Sequence, residues 1–583
     1  MNCRRNVLTI VSCMMVLSLT ACGGKGHTAS LAESDLSGTD SAIVSSAESA
    51  VETTDSSKTL ADLFSTEGDV FNVMCPDDSF YTLVKTYDSD YTDEGEWTSQ
   101  NLSGNGAASR SSQSGAGAQT DKGAAKDEAE SASSEKSEAQ GASSESAEKS
   151  EVQGTSSEPS ERNEARSASS EPAENDSMET ASVPVLTVDE WLSQICAAYH
   201  ATVMTGHFGS TRVNWIIAGS ADTYENMLDS ALFEESSSPD TSVDLFLVDG
   251  NDLSMYLDAD TDITMSASEL GIRSADLEDQ YEFTHQLGSD AKGKIRAFTW
   301  EVPCGIFVYR RSAAAAVFGT DNPTRVESYL SDWDAFANTA VALKNSGYQI
   351  YSGTDSSFDA YMSSSKSTWT NEDSVITVDR TALDWAEYSR ELCNEGCVAE
   401  NERGSEEWLS GLSGASSVFG AFLTQNEIRD WLRDGNTASA GDYAVCRGPS
   451  AYAADGDWIC VSSRSDNPKT ASKLVKKLTC DSETMKKMAS DRAMMVNSRT
   501  AVRTLASDSG WSDSLMGGQN WFSVLDTAAS GLDISAQGTY DAVLKQIFRE
   551  DFISYIAGEE DKAAALQQFY TDALNKYPDL LTD

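Results

Sequence analysis

The sequence predicts an α/β fold with parallel-rich sheets flanked by helices. Three observations lead there. Apolar runs of strand length alternate with amphipathic stretches of helical period, the aromatic residues fall into two separate blocks, and 583 residues exceed what one compact core holds. Hydrophobic content of 39% is below the globular norm, so part of the chain is expected not to fold.

The amino terminus reads Asn2-Cys3-Arg4-Arg5, an apolar run from Val7 to Leu19, then Thr20-Ala21-Cys22-Gly23. A basic start, a short apolar segment and small residues after it make a secretory signal over residues 1–21, too short to span a bilayer stably. Residues 22–58 and 98–182 are mostly Ser, Ala, Glu, Gly and Lys, with no aromatic residue before Phe64 and none between Trp97 and Trp191. Such composition cannot bury enough apolar area to offset chain entropy, so both are predicted disordered. The ordered protein is then 59–97 together with 183–583.

Within it, Phe71–Cys75 reads as a strand, and Phe80, Leu83, Val84 and Tyr87 follow at helical spacing. Thr187-x-x-Glu190 is a capping box that opens a helix carrying Trp191, Ile195 and Tyr199 on one face. Val213–Ala218 reads as a strand, Tyr224–Leu232 as a helix, and Val243–Val248 as a buried strand. Trp458–Ser462 is a strand feeding a helix that Asn467 caps, Pro468 starts and Leu478 ends. Leu566, Phe569, Tyr570, Ala573, Leu574 and Tyr577 mark the last helix. The 98–182 segment therefore interrupts one fold, whose two flanks complete a common sheet; an insertion at a surface loop costs little closure entropy.

The formal charge of −51 repels polyanions and argues against nucleic-acid binding. Residues 101–180 hold 16 acids and 7 bases, so most of the negative charge belongs to the folded part. Histidines 27, 200, 207 and 285 are too scattered for a histidine-rich metal site. Cys393-x-x-x-Cys397 has the spacing of a metal half-site, but no second half matches it. Asp258, Asp260, Asp262 and Glu269 imitate a calcium loop, yet Ile263 stands where the loop needs glycine, which favours a turn. No cofactor is expected. The eight cysteines from Cys75 onward are expected to be buried or free thiols.

Leu19-Thr20-Ala21-Cys22 resembles a bacterial lipobox. The resemblance implies cleavage before Cys22, a lipid on its thiol, and tethering at the extracellular face of the plasma membrane. Further segments, in this order, resemble the extracellular solute-binding proteins of carbohydrate ABC transporters (family 1, the group that includes maltose-binding protein). They are Asp244–Asp249, Gly293–Arg311 with Trp300 and Gly305, Asp332-Trp-Asp-Ala-Phe336, Gly441-Asp-Tyr, Gly448-Pro449, Gly456-Asp-Trp458 with Asn467-Pro468, and Gly517–Asn520.

That resemblance implies two α/β lobes of the type II binding-protein fold joined by a hinge, with 59–97, 183–303 and 446–482 in the first lobe and 304–445 and 483–583 in the second. It implies a monomeric, non-enzymatic binder that passes a sugar or oligosaccharide to ABC permease subunits. By position, the ligand-binding residues would be Asp77, Asp78, Asp249, Asn251, Trp300, Glu301, Asp355, Phe422, Tyr452 and Trp458. Asp78 also suits a helix N-cap, and Phe422 and Trp458 also suit core positions. The chain departs from the family pattern at Pro76 and Ala454, where relatives carry tryptophan. Two lost stacking platforms, each worth on the order of 1 kcal/mol, point to a smaller, more polar or different ligand. Two rival readings remain, a surface glycan-active enzyme and an adhesin-type lipoprotein. With 93 acidic residues, paired carboxylates arise by chance and do not favour the enzyme.

Overall fold

A computed structural model of the chain describes residues 68–97 and 186–582, apart from 234–237, 258–260, 415, 436–438, 455, 536–537 and 539. The signal segment, Cys22, the 22–58 tether and the 98–182 insertion lie outside the described residues, as do Asp258 and Asp260 of the calcium-like run.

Among the described residues the strands are β1 (Val70–Cys75), β2 (Tyr91–Glu96), β3 (Thr202–Phe208), β4 (Thr211–Ile217), β5 (Leu245–Asp249), β6 (Ala297–Phe298), β7 (Cys304–Arg310), β8 (Tyr351–Ser352), β9 (Val398–Ala399), β10 (Gly420–Thr424), β11 (Tyr443–Cys446), β12 (Tyr452–Ala453) and β13 (Asp457–Val461). They form a first sheet in the order β2-β3-β4-β1-β5-β13-β6, a second around β7 with β10, β11 and β12, and a parallel β8–β9 pair. The seven-stranded sheet with its helices is the first lobe and the sheet around β7 with its helices the second, and an apolar core continues across both.

β1 runs parallel to both β4 and β5, so the chain on either side of the 98–182 segment builds one sheet. The centre of that sheet is parallel; its flanks are antiparallel. One flank is the β3–β4 hairpin, in which Phe208 pairs with Thr211 across the two-residue loop Gly209-Ser210. Gly209 takes a φ of 61°, which a two-residue hairpin turn demands and glycine supplies without strain. This loop signal marks a hairpin that strand–helix alternation alone does not foresee.

The helices follow the apolar spacing. Ser79–Tyr87 buries Phe80, Leu83, Val84 and Tyr87. Val188–Tyr199 starts on the Thr187–Glu190 capping box, with both reciprocal bonds formed. Pro468–Thr479 starts at its proline, but Asn467 makes no side-chain cap bond. Its amide instead donates to the Val70 carbonyl at 2.7 Å and to Asp244 at 3.2 Å, because burial places it among the strand ends. The last helix is Lys562–Lys576.

The chain crosses between the sheets from β6 to β7, and returns between β12 and β13. Cys446 ends β11 and Tyr452–Ala453 pair with β7, so the chain stays beside the second sheet up to Ala453 and the return crossing follows Ala453 rather than Val445. One apolar core runs from Phe71 and Trp215 of the first sheet, through Trp300 and Cys304, to Leu423 and Val445 of the second, and is backed by the helices Ser482–Arg492, Arg499–Ala506 and Phe522–Ser530. The carboxyl-terminal helices instead pack on the second lobe, where Phe548 and Phe569 meet Trp369 and Phe548 stacks on Phe358. Among the described residues no helix is long and apolar enough to cross a membrane.

Candidate functional site

In a sheet with a parallel centre, exposed polar groups collect beyond the carboxyl ends of the strands. Asp77 and Asp78 follow β1, Asp249 ends β5 and Asn251 follows it; all four are exposed. Asp77 accepts the Ser79 N–H at 2.8 Å. Asp78 holds the N-cap position, but its side chain makes no cap bond and its carboxylate stays open to solvent. Asp249 accepts the Asn251 N–H at 2.9 Å and lies opposite Asp457 in the β5–β13 register.

Glu301, in the first crossing, is 1% exposed. Its carboxylate accepts from Asn426 Nδ2 at 3.0 Å, Gln425 Nε2 at 3.3 Å and the Asp457 N–H at 3.2 Å. Its backbone forms a bridge with Val496. Burial pushes the Glu301 carboxyl up, against the bond from Asn426. Burial first, then the Glu301, Asp249 and Asp77 carboxylates, push Asp457 up to about 8.

Gln425 and Asn426 were not legible as site residues, although a signal existed. Thr424-x-x-Glu427 is a capping box directly after a strand, and both of its reciprocal bonds form. Arg403 grips Glu427 at 2.8 and 2.9 Å and lies 5.6 Å from the centroids of both Trp408 and Trp431. That anchor presents Gln425 and Asn426 to the crossing. The crevice lined by Gln425, Asn426, Arg429 and Met494 encloses about 20 Å³, room for about one water.

Three rings expected to face a ligand are core side chains instead. Trp300 is 5% exposed and stacks on Phe80 at 5.2 Å, with Phe80 edge-on to Trp215 on its other side. Phe422 lies among Phe307, Phe336, Tyr351 and Trp333. Trp458 pairs with Val248 and fills the space above Gly288. The physical reason is common to all three: a large ring near a strand end gains more by closing its own lobe than by facing water. Tyr452 is likewise buried, lying flat over Gly305, where any Cβ would enter its ring. Asp355 follows β8, half-buried, 3.9 Å from Arg549, which also reaches Asp359 at 3.4 Å.

Aromatic surface is available elsewhere. Trp333, Tyr361 and Tyr388 are half-buried and mutually packed, with centroids 4.6, 5.5 and 5.4 Å apart. They come from three helices, Trp333–Asn345, Phe358–Met362 and Arg380–Asn394. Just beyond the Phe358–Met362 helix, Ser363 Oγ lies 2.5 Å from Ser450 Oγ in the segment between β11 and β12. Ala454, where a family tryptophan is missing, packs partly buried against the second-lobe core.

Among the described residues no group of three or more His, Cys, Asp or Glu side chains is placed to hold a metal ion. Cys393 and Cys397 are free thiols, with Cys393 half-buried and Cys397 buried. Glu269 is occupied by Ser266, accepting from its N–H at 2.7 Å and its hydroxyl at 2.6 Å.

No family model matches the chain, and no curated protein matches it. Solved structures do. One described as an extracellular solute-binding protein of family 1 is 15% identical, with 63% of this chain and 92% of that chain covered and a TM-score of 0.54. The sugar-binding protein MalE from Xanthomonas citri is 10% identical, with 63% and 91% covered and a TM-score of 0.49. The galacto-N-biose-/lacto-N-biose I-binding protein from Bifidobacterium longum is 14% identical, with 68% and 94% covered and a TM-score of 0.48. Two sheets joined by crossings, together with the first of these likenesses, establish that the chain has the fold of the family 1 extracellular solute-binding proteins.

Proposed function

We propose that this protein captures a carbohydrate or related polyhydroxylated solute between its lobes and delivers it to an ABC import permease. It would do so as a monomer held by a lipid on Cys22 at the extracellular face of a bacterial plasma membrane. One observation carries the reading. Asp77, Asp78, Asp249 and Asn251 stand exposed beyond the carboxyl ends of neighbouring parallel strands, beside the crossings to the second lobe. Carboxylates and amides so placed accept from and donate to sugar hydroxyls. The crevice behind Gln425 and Asn426 is too small for a hexose, so the ligand would lie along this exposed wall and engage the second lobe by a hinge motion. The Trp333–Tyr361–Tyr388 surface would supply the stacking contact that Pro76 and Ala454 do not.

The test is a thermal-shift screen of the mature chain against mono- and oligosaccharides. A ligand of the native state raises Tm in proportion to the logarithm of its concentration above Kd. A hit that is bound and recovered unchanged supports capture; hydrolysis of the glycan panel with no stabilisation would overturn it. With a hit in hand, Trp333→Ala is expected to weaken binding about tenfold, roughly 1.4 kcal/mol, measured by titration calorimetry. Trp300→Ala is expected to lower Tm instead, since that ring is held in the core.

A further inference from the structure

The hinge carries charged groups that ligand capture does not require. Glu301 touches every segment that meets there. Its carboxylate accepts from Asp457, where the return crossing enters β13, and from Gln425 and Asn426 of the second lobe, while its backbone bridges Val496. The adjoining peptides are tied in the same place. Val302 donates to the Met495 carbonyl at 3.1 Å, Met495 donates to Gln425 Oε1 at 2.7 Å, and Asn497 donates to the Trp300 carbonyl at 2.9 Å.

We propose that Glu301 and Asp457 form a proton-sensitive pin at the hinge, which holds the crossings together while one of the two carboxyls is protonated and loosens them when both are ionised.

The charges around the pair set the direction. Asp77 faces it from the loop after β1, and Asp249 from the end of β5. Arg429 faces it from the second lobe, but is itself bound by Asp430 at 2.8 Å. The thiols of Cys75 and Cys304 are the remaining titratable neighbours, and burial keeps both protonated through the physiological range. Arg433 and Arg492 line the crevice behind Arg429, and Arg433 is bound to Asp513 at 2.7 Å. With one carboxyl protonated, the pair carries a single charge, met by the three donors on Glu301 and by Arg429. When Asp457 ionises, a second charge appears beside Asp77 and Asp249, opposed by the same Arg429 alone. Like charges gathered in one cluster repel strongly where water is partly excluded. The segments best able to separate are those crossing the hinge. Because Asp457 holds its proton up to about 8, loosening falls between neutral and mildly alkaline pH.

Hydrogen–deuterium exchange of the full chain, without ligand, tests this at pH 6.5 and 9 after correction for intrinsic exchange rates. Amides of 453–458 and 494–498 are expected to exchange at least tenfold faster at pH 9, while those of β4 keep their protection. Asp457→Asn and Glu301→Gln are each expected to give the same protection at both pH values; either variant alone suffices if the other does not fold. Equal protection of the wild-type hinge at both pH values would overturn the proposal. So would loosening of the variants like the wild type, or acceleration of β4 along with the hinge. Since no sugar is involved, the result is independent of whether capture is established.

Discussion

The first sheet places a carboxylate among buried polar partners near each of its ends, and the two are built differently. At the amino end Asp244, just before β5, is 1% exposed. It accepts from the Asn72 N–H at 2.7 Å, Ser465 Oγ at 2.6 Å and Asn467 Nδ2 at 3.2 Å. Asn72 in turn accepts from Asn214 at 2.8 Å and donates to the Asp240 and Ser242 carbonyls. Every one of these partners belongs to the first lobe. At the crossing end Glu301 draws its donors from the second lobe and from the return crossing. A network confined to one rigid body locks strands; the same chemistry spread over two bodies couples them. Burial and hydrogen bonding alone therefore do not reveal what an acidic residue is for. What matters is whether its donors move together.

The largest expected effect breaks the amino-end network. Asp244→Ala leaves three buried donors without an acceptor and is expected to cost about 3 kcal/mol of folding stability, read by chemical denaturation. Exchange at the hinge amides at pH 6.5 should be unchanged. A loosened hinge in that variant would erase the distinction between the two ends.

A smaller effect lies in the pH dependence of stability. Both acids hold a proton in the folded state beyond the ordinary carboxylate range, Asp244 to about 7 and Asp457 to about 8, with burial the first cause in each. Unfolded carboxylates titrate near 4. At these two groups the folded state therefore binds more protons between about 4 and 8, and their contribution to stability falls as pH rises through that window. Asp457→Asn is expected to raise Tm at pH 8 by several degrees and to leave it unchanged at pH 4. Asp244→Asn should flatten the portion below about 7. An Asp457→Asn Tm gain over wild type that does not grow from pH 4 to 8, or an Asp244→Asn profile as steep as wild type below about 7, would contradict the respective assignment.

The smallest effect is a control. Lys85 and Asp93 pair at 2.7 Å on the surface of the first lobe. Exposed pairs contribute little once side-chain entropy and screening are counted. Lys85→Met should leave Tm and hinge exchange within experimental error, which separates the hinge carboxylates from general surface charge.

Much of the fold was legible before any tertiary contact was known. Period-two and period-3.6 patterns located β1, β4, β5 and β13 and the helices between them, and the Thr187–Glu190 box marked a helix start that forms as read. These signals are local, acting over about four residues. The exposed polar residues proposed to face a ligand were legible to the extent that they sit at strand ends, which strand positions imply. The roles of Trp300, Phe422 and Trp458 were not, because a ring beside a strand end can turn toward the cleft or toward its own core, and only packing decides. Trp333, Tyr361 and Tyr388 were hidden for the same reason, since three helices must assemble before their rings meet.

The sequence by itself determined the elements, their alternation, the acidic character of the chain and the interruption of one sheet by a segment poor in apolar residues. Which few of 93 acidic side chains meet, and on which lobe each finds its donors, is settled by long-range packing. The reason is range. Capping and periodicity are written within a turn of helix or a few residues of strand, whereas Glu301 meets Asp457 and Asn426 across more than a hundred residues of chain. Contacts of that kind exist only once both lobes have packed.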